Sequence, residues 1–180
     1  MTIEIRRITA LEETALQMPN QPFPLLGQLL VTRDENGWQH HEQLAKKTTW
    51  QTFPEEHYQL APIDQAGFAL GAFNQNECVG LAIFEWRWNH DLYLADLKVA
   101  TTWRQQGIGR QLLRAGARLG QERGVRGLTT IAQDDNLNAN RFYLALGFTI
   151  GGFNDHDYRF TTQAGKGDVY YYLDLTAGLL

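Results

Sequence analysis

Apolar and polar positions alternate in IEIRRI (Ile3–Ile8), which predicts a first strand, and Thr9 stands as a helix cap at the head of TALEETALQ. From residue 67 the pattern becomes regular. GFALGAF, CVGLAIFEWRW and LYLADLKVA read as three strands, with NQNE and NHD as the turns of an antiparallel meander. After Arg104 the period lengthens. Ile108, Leu112, Ala115, Gly116 and Leu119 recur at helical spacing, which predicts an amphipathic helix over Ile108–Arg123 ended by Gly124. GLTTIA (Gly127–Ala132) reads as a buried strand and LNANRFYLALG as a second helix ended by Gly147. FTIGGF and VYYYLDL read as the last strands. A strand, a crossover helix and a further strand imply a parallel pair. The expected class is α+β: a mixed, mostly antiparallel sheet with a central parallel pair, flanked by helices.

Residues 19–62 carry no clear period. All five prolines fall there (Pro19, Pro22, Pro24, Pro54 and Pro62), predicting loops with short helical pieces around HHEQLAKKTTW. Such an excursion either builds a substrate wall or simply packs on the surface.

Length and composition fit one domain over 1–180, with a signature part at about 67–175. Aromatic residues are plentiful and the formal charge is −4 with no Lys/Arg block, which argues against nucleic acid and suits a cationic partner better. Cys78 is the only cysteine, so an intrachain disulfide is impossible and a cytoplasmic setting is expected. Inside NECVGLAIF it reads as a buried small apolar residue. No segment approaches the length of a membrane span. His40 and His41 are adjacent and no His-x-x-x-His or Cys/His pair follows, so no metal is expected.

The chemistry concentrates in Arg104-Gln105-Gln106-Gly107-Ile108-Gly109-Arg110. Following a strand and opening a helix, this stretch places the unpaired amides of a first helical turn around one point at the positive end of the helix dipole. Gly107 and Gly109 let an anion approach the backbone, and Arg104 and Arg110 add positive charge. The Gly-Lys-Ser/Thr ending of a nucleoside triphosphate loop and the third glycine of a dinucleotide fold are both missing. A diphosphate held without metal fits best.

LADLKVATTWRQQGIGRQLL resembles the acetyl-CoA-binding segment of the GCN5-related N-acetyltransferases (GNAT). Asn136, Ala139, Phe142, Tyr143, Gly147 and Phe148 resemble the other signature helix of that family. FEWRWN, ADLKV and GFTIGGF…DY…VYYYLDL look like its streptothricin acetyltransferase subgroup. The resemblance implies acetyl-CoA as cofactor, with its pyrophosphate in the loop 104–110 and Asn136 on its pantetheine arm; the alternative for Asn136 is a helix N-cap. It implies backbone donors for the developing oxyanion at Leu97 and Val99, and Tyr143 as general acid at the sulfur. Many relatives carry Glu-Asp before the loop where this chain has Ala95-Asp96, leaving Asp96, with Glu85 as a second option, to act as base or as an anchor for a cationic substrate. Trp86, Trp88, Trp103 and Tyr170–Tyr172, with Asp155 or Asp157, are candidates for lining an acceptor cleft. The expected activity is direct acetyl transfer to a primary amine of a small cationic molecule, a streptothricin-type antibiotic first. The rivals are acetylation of a protein N-terminus or lysine, or a non-catalytic acyl-CoA-binding module. A homodimer is compatible with the family.

Overall fold

The computed structural model describes residues 2–176 and 178. Among these, the strands run in chain order as β1 (Ile3–Arg7), β2 (Phe23–Asp34), β3 (Gly37–Gln51), β4 (Gly67–Asn74) and β5 (Glu77–Trp86). They continue as β6 (Asp91–Val99), β7 (Gly127–Gln133), β8 (Thr149–Asn154) and β9 (Asp168–Asp174). The α-helices are α1 (Leu60–Ala66), α2 (Ile108–Gln121) and α3 (Leu137–Ala145). The segment begun by Thr9 is a 3-10 helix, Ala10–Gln17, with a kink at Glu12. The chain packs as two compact units.

The first unit holds residues 2–21, 53–128 and 174–176. Its strands pair antiparallel in the order β1-β4-β5-β6. All of GFALGAF in β4 is buried, because both faces of the strand are covered. On one face Ala69, Leu81 and Ile83 pack with Ile8, Leu16, Met18, Leu60 and Ile63 from the 3-10 helix, α1 and their flanks. On the other lies α2. A Cβ on Gly80 would come within 3.1 Å of Ile108, and one on Gly116 within 2.2 Å of the Phe84 ring, so these glycines set how closely α2 lies on β5. The buried stripe of α2 is Ile108, Leu112, Leu113, Gly116, Ala117 and Gly120, with Leu119 only half-buried. That is one position round from the face read off the sequence.

The second unit holds residues 22–52 and 129–173. Here the reading of 19–62 is corrected. HHEQLAKKTTW is no helix; it is the body of β3, which pairs antiparallel with β2 from Phe23↔Gln51 to Asp34↔Gly37. The prolines bracket these elements instead of breaking them. Pro24 lies one residue into β2, Pro54 follows β3, and Pro62 falls in the first turn of α1, where no amide is needed for the helix. The strand escapes a periodicity search because almost every residue of β3 is exposed, so neither face is apolar. Leu29, fully buried on β2, donates its amide to the Asp134 carbonyl at 2.8 Å and ties the hairpin to the end of β7. β9 pairs antiparallel with β8. Tyr171, buried on β9, donates its hydroxyl to Asn140 Oδ1 of α3 at 2.6 Å.

Candidate active site

The loop between β6 and α2 is shaped by two left-handed residues, Gln105 at φ 60 and Gly107 at φ 78. The first intrahelical bond runs from the Gln111 amide to the Gly107 carbonyl at 3.0 Å. The amides of Ile108, Gly109 and Arg110 therefore have no acceptor within the helix, and they face outward at its positive end. A Cβ on Gly107 would meet nothing within 4 Å, so the backbone is open to a ligand there. A pyrophosphate fits this donor set. Gln105, Gln106 and Arg110 are exposed around it, and Gln106 donates to the Thr102 carbonyl at 3.1 Å. Arg104 also has a structural contact. It is half-buried and its Nε donates to the Val99 carbonyl at 3.0 Å, bracing the loop against the end of β6; burial depresses its pKa.

The backbone of β6 has two distinguishable edges. The Ala100 amide donates to the Val79 carbonyl at 2.9 Å, and Lys98 lies opposite Leu81. In an antiparallel ladder the hydrogen-bonding direction alternates, so Leu97 and Val99 present their amides to the edge away from β5. The Val99 carbonyl, taken by Arg104, agrees with this. The side chains of both residues are half-buried.

Asp96 projects from the opposite face of β6, the face it shares with Ile83 and with Lys98. There the structure gathers a group that sequence reasoning only partly found. Lys98, 9% exposed, binds Glu56 Oε2 at 2.5 Å and lies 3.4 Å from Asp96 Oδ2. Tyr58 lies close enough to feel the Asp96 charge, and its ring lies 5.5 Å from the Lys98 ammonium. Burial pushes the Asp96 carboxyl up; Lys98 opposes this and Glu56 adds to it. Burial also pushes Glu56 up, but hydrogen bonds from Lys98 and Asn20 outweigh it and leave Glu56 lowered. Tyr58 is raised by burial and by the charges of Asp96, Glu56 and Glu85. Glu85 is near enough to be felt in this way, yet its carboxylate pairs with Arg87 at 3.1 Å. An Asp and a Lys two apart on one strand, among apolar neighbours, was a readable signal for Lys98. Glu56 and Tyr58 lie in a segment with no pattern at all.

In the second unit Asn136 caps α3, its Oδ1 accepting from the Ala139 amide at 3.2 Å. The N-cap alternative for this residue is thus realised. Tyr143 is 7% exposed, with its ring at 5.4 Å from those of Phe142, Phe148 and Tyr171. A polar cluster that the sequence reading did not foresee surrounds the end of β7. Asp134, 1% exposed, accepts from Gln28 at 2.6 Å and is pushed up chiefly by burial. Asp135 pairs with Lys166 at 2.8 Å. Tyr158 donates to Asp168 at 2.9 Å and is pushed up to about 12 by burial.

The aromatic candidates divide. Tyr171 is core, Trp88 is almost wholly exposed, and Trp86 packs on Phe68 with Arg123 over its ring. Asp155 is exposed and lowered by its hydrogen bond with His156. Cys78 is half-buried; its thiol donates to the Gly80 carbonyl at 3.2 Å and is raised by burial. Among the described residues no helix is long and apolar enough to cross a membrane.

The chain is 24% identical over 169 residues to streptothricin acetyltransferase A of Bacillus subtilis strain 168, covering 93% of this chain and 98% of that one. A solved structure of nourseothricin acetyltransferase superposes with a TM-score of 0.81 at 22% identity, covering 97% of this chain and 99% of the other. A candidate streptothricin acetyltransferase of Bacillus anthracis strain Ames, in complex with acetyl coenzyme A, superposes with a TM-score of 0.87 at 19% identity over 96% and 99% of the two chains. These superpositions establish the shared α+β fold. The acetyltransferase (GNAT) family profile matches residues 32–148, across the strand, loop and helix just described. The chain belongs to the acetyltransferase (GNAT) family and is an enzyme that uses acetyl-CoA.

Proposed function

We propose that this enzyme acetylates a primary amine of a small cationic acceptor, a streptothricin-type antibiotic first, by direct transfer. The observation that carries the reading is the placement of Asp96. A partly exposed carboxylate, with a second one behind it, stands one residue from an amide pair turned to the same strand edge. The names of the relatives point to the same class of acceptor.

Acetyl-CoA, when bound, supplies the acetyl group as a thioester. The amides of residues 108–110, with Gln105, Gln106 and Arg110 around them, would hold its pyrophosphate, and Arg104 keeps the loop in place. The Leu97 and Val99 amides are the donors for an oxygen gaining negative charge. An amine of ordinary lysine type is only about one part in a thousand neutral at pH 7, so it must give up a proton. Asp96 is the carboxylate for this, with Glu85 as the next nearest acid. Tyr143 holds a proton at its hydroxyl for the departing sulfur. Asn136, already engaged as a cap through Oδ1, retains its amide NH2 for the pantetheine arm.

The test is thiol release from acetyl-CoA across streptothricin, aminoglycosides, polyamines and basic peptides. Turnover on streptothricin above the rest is expected. Tyr143→Phe is expected to lose about 10²-fold or more in kcat with acetyl-CoA affinity unchanged. Turnover on basic peptides alone would overturn the acceptor assignment, and an unimpaired Tyr143→Phe would remove the general acid.

A further inference from the structure

Asp96 is held from behind. Its Oδ2 is buried and accepts no hydrogen bond, and the nearest cation is Lys98 Nζ at 3.4 Å. Lys98 cannot swing away, because its ammonium is also bound to Glu56 at 2.5 Å and lies 3.5 Å from the Met18 carbonyl. Its side chain is 8% exposed and that of Asp96 is 17% exposed, so the carboxylate is the more accessible of the two. Tyr58 closes the group from another side, its ring 5.5 Å from the Lys98 ammonium.

We infer that Lys98, Glu56 and Tyr58 are positioning residues that keep Asp96 charged and correctly turned to receive the ammonium of the acceptor. The inference rests on the role given to Asp96 above. The charges around Asp96 are Lys98 on its own strand, Glu56 and Tyr58 from the segment before α1, and Glu85 from β5. Without Lys98, burial and the Glu56 charge would both favour protonated Asp96, and a neutral acid neither attracts an ammonium nor takes its proton. With Lys98 present, the transfer balances. One N–H bond of the ammonium breaks, one O–H bond forms on Asp96, and the nitrogen lone pair is freed for attack. Tyr58 does not relay that proton onward as a phenolate, because burial and three neighbouring carboxylates keep it protonated. It stays a neutral phenol. The proton leaves from Asp96, the more accessible member of the pair.

A salt bridge that merely pins the segment 53–59 to β6 would make different predictions. The decisive measurement is a carbon-13 NMR titration of the Asp96 carboxyl in the full-length protein, assigned with Asp96→Asn. Lys98→Met should move the Asp96 midpoint up, Glu56→Gln should move it down, and Lys98→Arg should restore it. Opposite shifts follow from the two charges alone; what a purely structural bridge would not produce is an acid limb for acceptor turnover that moves with the Asp96 midpoint. In parallel, kcat/KM for streptothricin at pH 7 should fall about tenfold or more in Lys98→Met, with its acid limb moved to higher pH and KM for acetyl-CoA unchanged. The probe 1,5-diaminopentane should shift the Asp96 signal in the wild type and not in Lys98→Met. If folded Lys98→Met and Glu56→Gln both leave the Asp96 midpoint in place while streptothricin is still acetylated, the inference falls and the proposed function stands. If the midpoints move in opposite directions and diaminopentane binds at Asp96, yet no acceptor is acetylated, the inference stands and the proposed function falls.

Discussion

Asp134 shows what one buried carboxylate does to pH dependence. Burial, partly offset by the Gln28 hydrogen bond, raises its folded-state pKa above the ordinary aspartate value. The native protein therefore binds that proton more tightly than the unfolded chain does. The associated stabilisation is complete below the unfolded pKa of about 3.9 and is lost as pH climbs through the folded value. Asp134→Asn cannot ionise but can still accept from Gln28. Its stability relative to the wild type should rise with pH above about pH 4, as read from urea midpoints, and flat difference curves would refute this. The lowered carboxylates Glu12 and Glu42 act in the opposite sense, losing stability as pH falls. They are common to both proteins and cancel in the difference. At this scale the sequence was legible where chemistry is local. The turn at Gly107 and the cap at Asn136 could be placed because their conformations depend on neighbours in the chain. Tyr58, Glu56 and Asp134 could not, because they acquire a role only through partners 38 to 106 residues away in the chain, as with Gln28 and Asp134.

Among the elements, α2 and its entry loop carry the clearest link between backbone and binding. Gly107 is left-handed, and a Cβ there would point into open space. Gly107→Ala should therefore cost only about 1 to 2 kcal/mol of stability, the strain of a side chain in that conformation. Its effect on acetyl-CoA should be larger, about tenfold or more in Kd by calorimetry, because the new methyl occupies the approach to the first-turn amides. Equal affinity in a folded variant would move the pyrophosphate elsewhere. The strands from β4 onward could be read because a core covers one or both of their faces and leaves a period in the sequence. β3 could not. Its residues are exposed along nearly its whole length, and what holds it is a backbone ladder to β2, which side-chain patterning does not record.

At the scale of the whole molecule, the cations are unevenly chosen: four lysines stand against twelve arginines. A protein that handles an activated acetyl group exposes its own amines to it. Guanidinium groups are always protonated and offer no lone pair. Of the lysines, Lys98 is bound to Glu56 and Lys166 to Asp135, each ion-paired and largely shielded from solvent. Only Lys46 and Lys47, on β3, lie exposed. Prolonged incubation with acetyl-CoA followed by peptide mass spectrometry should therefore mark Lys46 and Lys47 first and leave Lys98 unmodified; early acetylation of Lys98 would show that its carboxylate clamp opens. The same ion pair that steadies Asp96 would then serve a second purpose, as the safeguard that keeps the enzyme from becoming its own substrate.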